Sequence, residues 1–253
     1  MTRGLKTLTL ACLLLSASAL RAWAAPGEIA KEAYESDGKK RTYYLYVPKV
    51  AAASSAPVPL LVTLHGSGRD GRSLVEKWKD LADKEGFIVA GPDSLGRQGW
   101  NVPKDGPDGT YDLVETVKAK HPVDPRRVYL FGHSAGAGFA LMISLLESEY
   151  FAAAAVHAGL LSPANYDLIE TAKRKTPIAM MVGAKDPLFP LADVRATRDE
   201  LNRRGFAVQL SEIPNHDHWY YDRAPEFNRA LWDFLKQHRL DADPRYVRYN
   251  FTK

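Results

Sequence analysis

From residue 60 onward the chain alternates between short, unbroken apolar runs and longer segments with helical spacing, and this alternation restricts the fold more than any other feature. The runs cover residues 60–64, 87–90, 128–131, 152–156, 178–182 and 207–213. Apolar runs of this length without polar alternation suit strands covered on both faces. Segments 73–85, 111–120, 135–146, 191–204 and 225–238 carry the helical period; in the last, Phe227, Ala230, Leu231, Phe234 and Leu235 share one face. Strand and helix in turn predict an α/β fold with a mostly parallel, doubly wound sheet.

Upstream, strand-like runs 28–34 and 41–47 flank Ser36-Asp37-Gly38-Lys39, whose Asp-Gly pair signals a hairpin turn. The sheet is therefore expected to open with an antiparallel hairpin. Residues 50–59 are small and punctuated by proline, and read as a surface loop. No repeat or long linker divides the chain, so residues 25–253 are expected to form one domain. The tail 241–253 is polar and aromatic and is assigned no element.

The first 24 residues are of another kind. Arg3 and Lys6 precede an apolar run over 8–20, and Ala22-Trp23-Ala24 offers a small-x-small cleavage site, which reads as a secretory signal peptide. The run is short for a bilayer span. Thr9-Leu10-Ala11 lacks the apolar residue usual three positions before a lipidated cysteine, which argues against an anchor at Cys12. The mature protein is expected to be periplasmic or secreted, with no stable membrane anchor.

Cleavage there removes Arg3, Lys6, Arg21 and Cys12, the chain's single cysteine, and leaves 31 basic against 30 acidic side chains. The formal charge of +4 on the full chain thus overstates its basicity, and no basic stripe interleaved with aromatics points to nucleic acid. Without cysteine there is neither a disulfide framework nor a thiolate metal site.

In an open parallel sheet, ligands bind at the carboxyl ends of the strands. Run 60–64 ends in His65-Gly66-Ser67-Gly68, run 128–131 in Gly132-His133-Ser134-Ala135-Gly136, run 178–182 in Gly183-Ala184-Lys185-Asp186, and run 207–213 in Pro214-Asn215-His216-Asp217-His218. A serine, an acid and a histidine thus stand at strand ends in that chain order. Asp193 reads as surface charge at a helix start, and Asp93 precedes the serine. His-x-His beside Asp217 is a weak metal signal, since catalytic zinc usually takes three protein ligands and no second cluster accompanies it.

Gly-x-Ser-x-Gly on a strand-to-helix turn, the order Ser, Asp, His and a His-Gly loop upstream together resemble the α/β-hydrolase superfamily over residues 41–238. The stretch DPRRVYLFGHSAGAGFALMISLLESEYFAAAAVHAG is similar to the branch of poly(3-hydroxybutyrate) depolymerases, feruloyl esterases and acetyl xylan esterases. The resemblance implies a serine carboxylic ester hydrolase on the α/β-hydrolase fold. Ser134 would be the nucleophile, Asp186 the acid and His218 the base. In related hydrolases the base stands four positions after a proline, as His218 does after Pro214, although the glycines usual in that loop are missing here; His216 is the alternative. The oxyanion donors implied are the N–H groups of Ala135 and Ser67, with Gly66 in reserve.

Segment lengths between Ser134, Asp186 and His218 leave no room for a large cap domain. The irregular stretch 93–109 is then the one segment long enough to fold over the cleft, which Trp100, His157, Leu160, Phe189 and Trp219 are expected to line. Small or polymeric esters of short acyl, hydroxyacyl or hydroxycinnamoyl acids are the expected substrates, with neither metal nor organic cofactor. A peptidase on the same fold, which normally brings a large extra domain, and a non-catalytic carbohydrate- or partner-binding descendant are the competing readings.

Overall fold

Every residue of β3 (Val58–Leu64), β4 (Ile88–Pro92), β6 (Ala153–His157) and β7 (Ile178–Gly183) is buried, which accounts for their unbroken apolar sequence. The computed structural model describes residues 25–96 and 98–248. With β1 (Ile29–Ser36), β2 (Lys39–Tyr46), β5 (Val123–His133) and β8 (Val208–Ile213), these strands form one eight-stranded sheet in the order β1-β2-β4-β3-β5-β6-β7-β8. From β4 to β8 all pairings are parallel, whereas β1 and β2 run antiparallel. Asp37 and Gly38, at φ 50° and 67°, make the left-handed two-residue turn that matches the twist of a hairpin.

Helices cover both faces. Residues of α2 (Gly71–Glu85) and α7 (Ala224–Leu235) share one apolar core, where Phe87 and Trp232 stack at 3.8 Å, while α3 (Val102–Lys118), α4 (Ala135–Leu146) and α6 (Leu191–Arg203) face the other. Among the described residues no separate cap covers the carboxyl edge, and no helix is long and apolar enough to cross a membrane.

Three segments differ most from the sequence reading. The loop expected over 50–59 begins with a short helix, α1 (Lys49–Ala52), entered from Pro48 at φ −57°. In the stretch expected to be irregular, α3 already starts at Val102. Asn101 caps it by accepting from the Lys104 N–H at 3.2 Å, and a break at Gly106 (φ 53°) kinks it. Pro103, Gly106, Pro107 and Gly109 look like turn residues in sequence and hide the helical period. Strand β5 starts at Val123, which pairs with Val58, and an irregularity in register then carries the strand past polar Asp124, Arg126 and Arg127 to Val128 opposite Leu60.

The tail folds back on the body: Leu240 and Arg245 donate backbone N–H groups to the carbonyls of Arg126 and Glu149, and Tyr246 stacks on Tyr111 at 3.8 Å. A 3₁₀ turn (Pro163–Asn165) and a short helix, α5 (Leu168–Thr171), complete the elements of the described residues. The signal peptide and Cys12, within 1–24, and residues 249–253 of the tail lie outside the described residues.

Candidate active site

Strand β5 runs directly into α4 through one residue, and that residue is Ser134. Its backbone sits at φ 57°, ψ −121°, a conformation non-glycine residues rarely adopt. Neighbouring backbone over-determines it: the Ser134 N–H donates to the His157 carbonyl at 3.0 Å, and the Ser134 carbonyl accepts from Ala137 at 2.9 Å. The flanking glycines are obligatory on steric grounds. A Cβ on Gly132 would stand 2.2 Å from the Gly136 oxygen, and one on Gly136 only 1.9 Å from that of Leu64.

The loop after β8 brings His218 back over this turn. His218 Nε2 lies 3.0 Å from Ser134 Oγ, and Nδ1 lies 2.9 Å from Asp186 Oδ2. The other oxygen of Asp186 accepts from the N–H groups of Leu188 and Phe189 at 2.9 and 3.0 Å, so the carboxylate is oriented from both sides. With Asp186 Oδ2 accepting, Nδ1 carries the ring hydrogen, and Nε2 presents its lone pair to the serine hydroxyl. Phe189 and His133 flank the ring at centroid distances of 5.5 and 5.1 Å. His216 turns the other way, toward the interior.

Ala135 is the first residue of α4, and its N–H has no acceptor within the helix. The Gly66–Gly68 loop approaches from β3. A Cβ placed on Gly66 would meet Ser134 Cβ at 3.3 Å, and one placed on Gly99 would meet Ala135 Cβ at 3.1 Å and Ser67 Oγ at 3.5 Å. Ser67 and Ala135 therefore converge beside Ser134. Ser67 is tied down through its hydroxyl, which donates to the Gln98 carbonyl at 2.7 Å.

His65 organises this corner from below. Its Nδ1–H donates to the Gly66 carbonyl at 2.9 Å and its Nε2 accepts from the Ser94 N–H at 3.1 Å; burial holds its pKa below the usual value, so the ring is neutral. Trp100 donates Nε1–H to the His65 carbonyl at 2.8 Å and stacks on Phe139 at 4.9 Å. The tryptophan thus anchors its own loop to the Gly66 turn and is half-buried. Asp105, a site residue that sequence reasoning missed, accepts from the Leu95 and Asn101 N–H groups at 2.8 and 2.7 Å. Buried Arg41 then donates to the Lys104 and Asp105 carbonyls, at 2.7 and 3.2 Å. Nothing in the local sequence separates Asp105 from a surface acid.

Of the residues expected to line the cleft, Trp219 is 43% exposed, Phe189 lies against His218, and Leu160 is half-buried on the core. His157 is a correction. It ends β6 with its ring completely buried under the turn, 3.2 Å from His133 Nδ1 through its own Nδ1 and 3.2 Å from His216 Nε2 through its Nε2. Its strand-end position suggested the cleft, but the preceding strand turns the side chain inward. Burial lowers the pKa of His133 to about 3 and of His157 to about 2, and also lowers that of His216, so this row of rings is uncharged. Among the described residues no group of three His, Cys, Asp or Glu is placed to hold a metal ion.

Known proteins share both the sequence and the architecture. The chain is 28% identical over 193 residues to a bifunctional acetylxylan esterase/xylanase of Neocallimastix patriciarum, covering 71% of this chain and 27% of that protein. It is 27% identical over 214 residues to poly(3-hydroxyalkanoate) depolymerase C of Paucimonas lemoignei, covering 77% and 49%. The chain therefore spans half or less of the length of these relatives. A solved ferulic acid esterase superposes with a TM-score of 0.66 at 19% identity, over 83% of this chain and 98% of that one, which establishes the α/β-hydrolase fold. Residues 91–237, which hold Ser134, Asp186 and His218, match the Dienelactone hydrolase family, and the chain belongs to that family.

Proposed function

We propose that the chain is a serine hydrolase that cleaves carboxylic esters through an acyl-enzyme on Ser134. The observation that carries this reading is the hydrogen-bonded series from Ser134 Oγ through His218 to Asp186, with contacts of 3.0 and 2.9 Å. In the first step Oγ attacks the ester carbonyl carbon while its hydrogen passes to His218 Nε2. The resulting oxyanion faces the N–H groups of Ala135 and Ser67. Collapse breaks the bond to the alcohol oxygen, which takes the proton from Nε2 and leaves. Water then repeats the cycle on the acyl group, releasing the acid and restoring the hydroxyl. Asp186 keeps Nδ1–H oriented and stabilises the transient imidazolium. None of these steps calls on a metal or an organic cofactor.

The names of the relatives support small or polymeric ester substrates, and the short connections around the site support an open cleft. Short acyl, hydroxyacyl or hydroxycinnamoyl esters suit such a cleft better than long lipid chains. Residues 1–24 direct export in this reading, with residues 25–253 forming the mature domain and the protein working in the periplasm or outside the cell. A fluorophosphonate probe tests the chemistry: stoichiometric labelling mapped to Ser134 is the expected result, and an unlabelled, folded protein would overturn it. Sequencing the N-terminus of protein recovered outside the cytoplasm tests export, with a start near residue 25 expected.

A further inference from the structure

The loops that carry Ser134, Asp186 and His218 leave β5, β7 and β8, and one side chain with no part in the steps above is bonded between them. His157 ends β6, the strand between β5 and β7, and pairs in register with His133. Its Nδ1 lies 3.2 Å from His133 Nδ1, and its Nε2 lies 3.2 Å from His216 Nε2. His133 is the residue before Ser134. His216 stands two residues before His218, and its carbonyl accepts the N–H of Lys185, the residue before Asp186, at 2.9 Å. The two loops are in such close contact there that a Cβ on Gly183 would stand 2.2 Å from the His216 oxygen. One imidazole therefore reaches the turn of the nucleophile on one side. On the other it reaches the segment that carries the base and braces the loop of the acid.

The ring of His157 is itself held in place. Phe227 of α7 stacks on it at 5.2 Å, 24° from parallel, and Tyr220 packs against it at 5.4 Å. Its backbone is pinned as well, because the His157 carbonyl accepts the Ser134 N–H at 3.0 Å. The next residue, Ala158, sits at φ 52° and donates its N–H to the Met181 carbonyl at 2.8 Å. A non-glycine residue in this left-handed region persists only where its surroundings over-determine it. His133 in turn lays its ring 5.1 Å from that of His218, so a shift of His133 reaches the base from its buried side. Polar links in a dry interior are strong when complete and costly when half made. An imidazole offers a polar atom on both sides of a planar ring, whereas a phenyl ring fills similar space and offers none.

We propose that His157 is a positioning residue: its ring sets the spacing between the serine turn and the histidine loop, and so holds Ser134 Oγ and His218 Nε2 at reacting distance without touching substrate. The inference rests on the ester-hydrolase reading. Misplacing reacting groups by about 1 Å can cost on the order of a hundredfold in rate. Contacts to the ester are made by other residues, so the loss belongs in kcat and spares KM.

Kinetics on an aryl acetate, with a thermal melt of each sample, test this in three replacements. His157→Phe keeps a ring and loses both bonds. His157→Asn places a polar group near Nδ1 and reaches only His133; His157→Gln extends to the place of Nε2 and reaches only His216. At a temperature where all samples are folded, His157→Phe is expected to lower kcat about thirtyfold with KM within about twofold of wild type. His157→Asn and His157→Gln should lose less, and labelling of Ser134 by the fluorophosphonate should slow in parallel, because it uses the same base. Val117→Ala is the stability control: it opens a cavity in α3 where that helix leads into the amino end of β5, at the edge of the sheet opposite the site. It should lower the melting temperature and leave kcat unchanged. If His157→Phe does not fold, the Asn and Gln variants decide, and a loss of kcat in both supports the inference. Wild-type kcat in both, a loss confined to KM, or an equal loss of kcat in Val117→Ala overturns it and leaves the hydrolase reading intact. A wild-type protein that neither cleaves an aryl ester nor takes the fluorophosphonate overturns both.

Discussion

The ring of Phe189 lies 10° from parallel to that of His218, 5.5 Å away, on the same short loop whose backbone hydrogen-bonds Asp186. One segment thus orients both the acid and the imidazole it serves. The arrangement fixes what replacements at this site should do.

Ser134→Ala should abolish ester turnover with little change in the melting temperature, because a methyl side chain fits the turn and only the attacking oxygen is lost. In a comparable serine hydrolase the loss of the nucleophile costs on the order of 10⁶ in kcat. Initial rates on an aryl acetate, with a thermal melt on the same sample, check it.

His218→Ala should match that loss, since nucleophile and base act as a unit. His216→Ala should instead lower stability by about 1–3 kcal/mol, through an unpartnered nitrogen on His157, with a far smaller effect on kcat. Urea unfolding and kinetics on both variants rank the two effects.

Gly136→Ala should fail to fold or should melt far below wild type, because the new methyl would stand 1.9 Å from the Leu64 carbonyl oxygen. Soluble yield and circular dichroism provide the readout. At Gly205, where nothing approaches within 4 Å, the same replacement should cost only the strain of its left-handed φ.

Acid should destabilise the fold before it titrates the carboxylates. His133 and His157 stay neutral in the native state down to about 3 and 2, but bind protons near 6.5 when unfolded. Between these limits the unfolded chain holds more protons, so stability falls as pH drops below about 6.5. Each such histidine adds up to about 1.4 kcal/mol per pH unit to the slope. Unfolding free energies measured from pH 7 to 4 should show the fall, and His157→Asn should flatten it by close to one proton.

Trp100→Phe should keep the stack on Phe139 but lose the bond to the His65 carbonyl, costing about 1 kcal/mol. Trp100→Ala should also loosen the Gly66 turn and lower kcat on every ester tested. A change confined to KM for aromatic esters would instead make Trp100 a substrate contact.

The sheet is legible because burial on both faces leaves a direct mark on sequence: β3, β4, β6 and β7 show as unbroken apolar runs. Strand ends then located Ser134, Asp186 and His218, which the fold brings within hydrogen-bonding distance. Illegible were the contacts that cross the chain. The bonds from Arg41 to Lys104 and Asp105 span more than sixty residues, and no local pattern announces them. His157 reads as a cleft residue in the sequence because a strand end says where the backbone stops, but does not say to which side the last ring turns.

The buried histidines carry a consequence for where hydrogens can reside. Each contact, between His133 and His157 and between His157 and His216, joins two ring nitrogens at 3.2 Å and holds one hydrogen. A neutral imidazole has a single N–H, so His157 can donate in only one direction at a time and must accept from the other side. The row therefore has two permitted polarities. Moving from one to the other requires all three rings to exchange tautomers together, so the interior end of the histidine loop and the base of the serine turn share a single binary state.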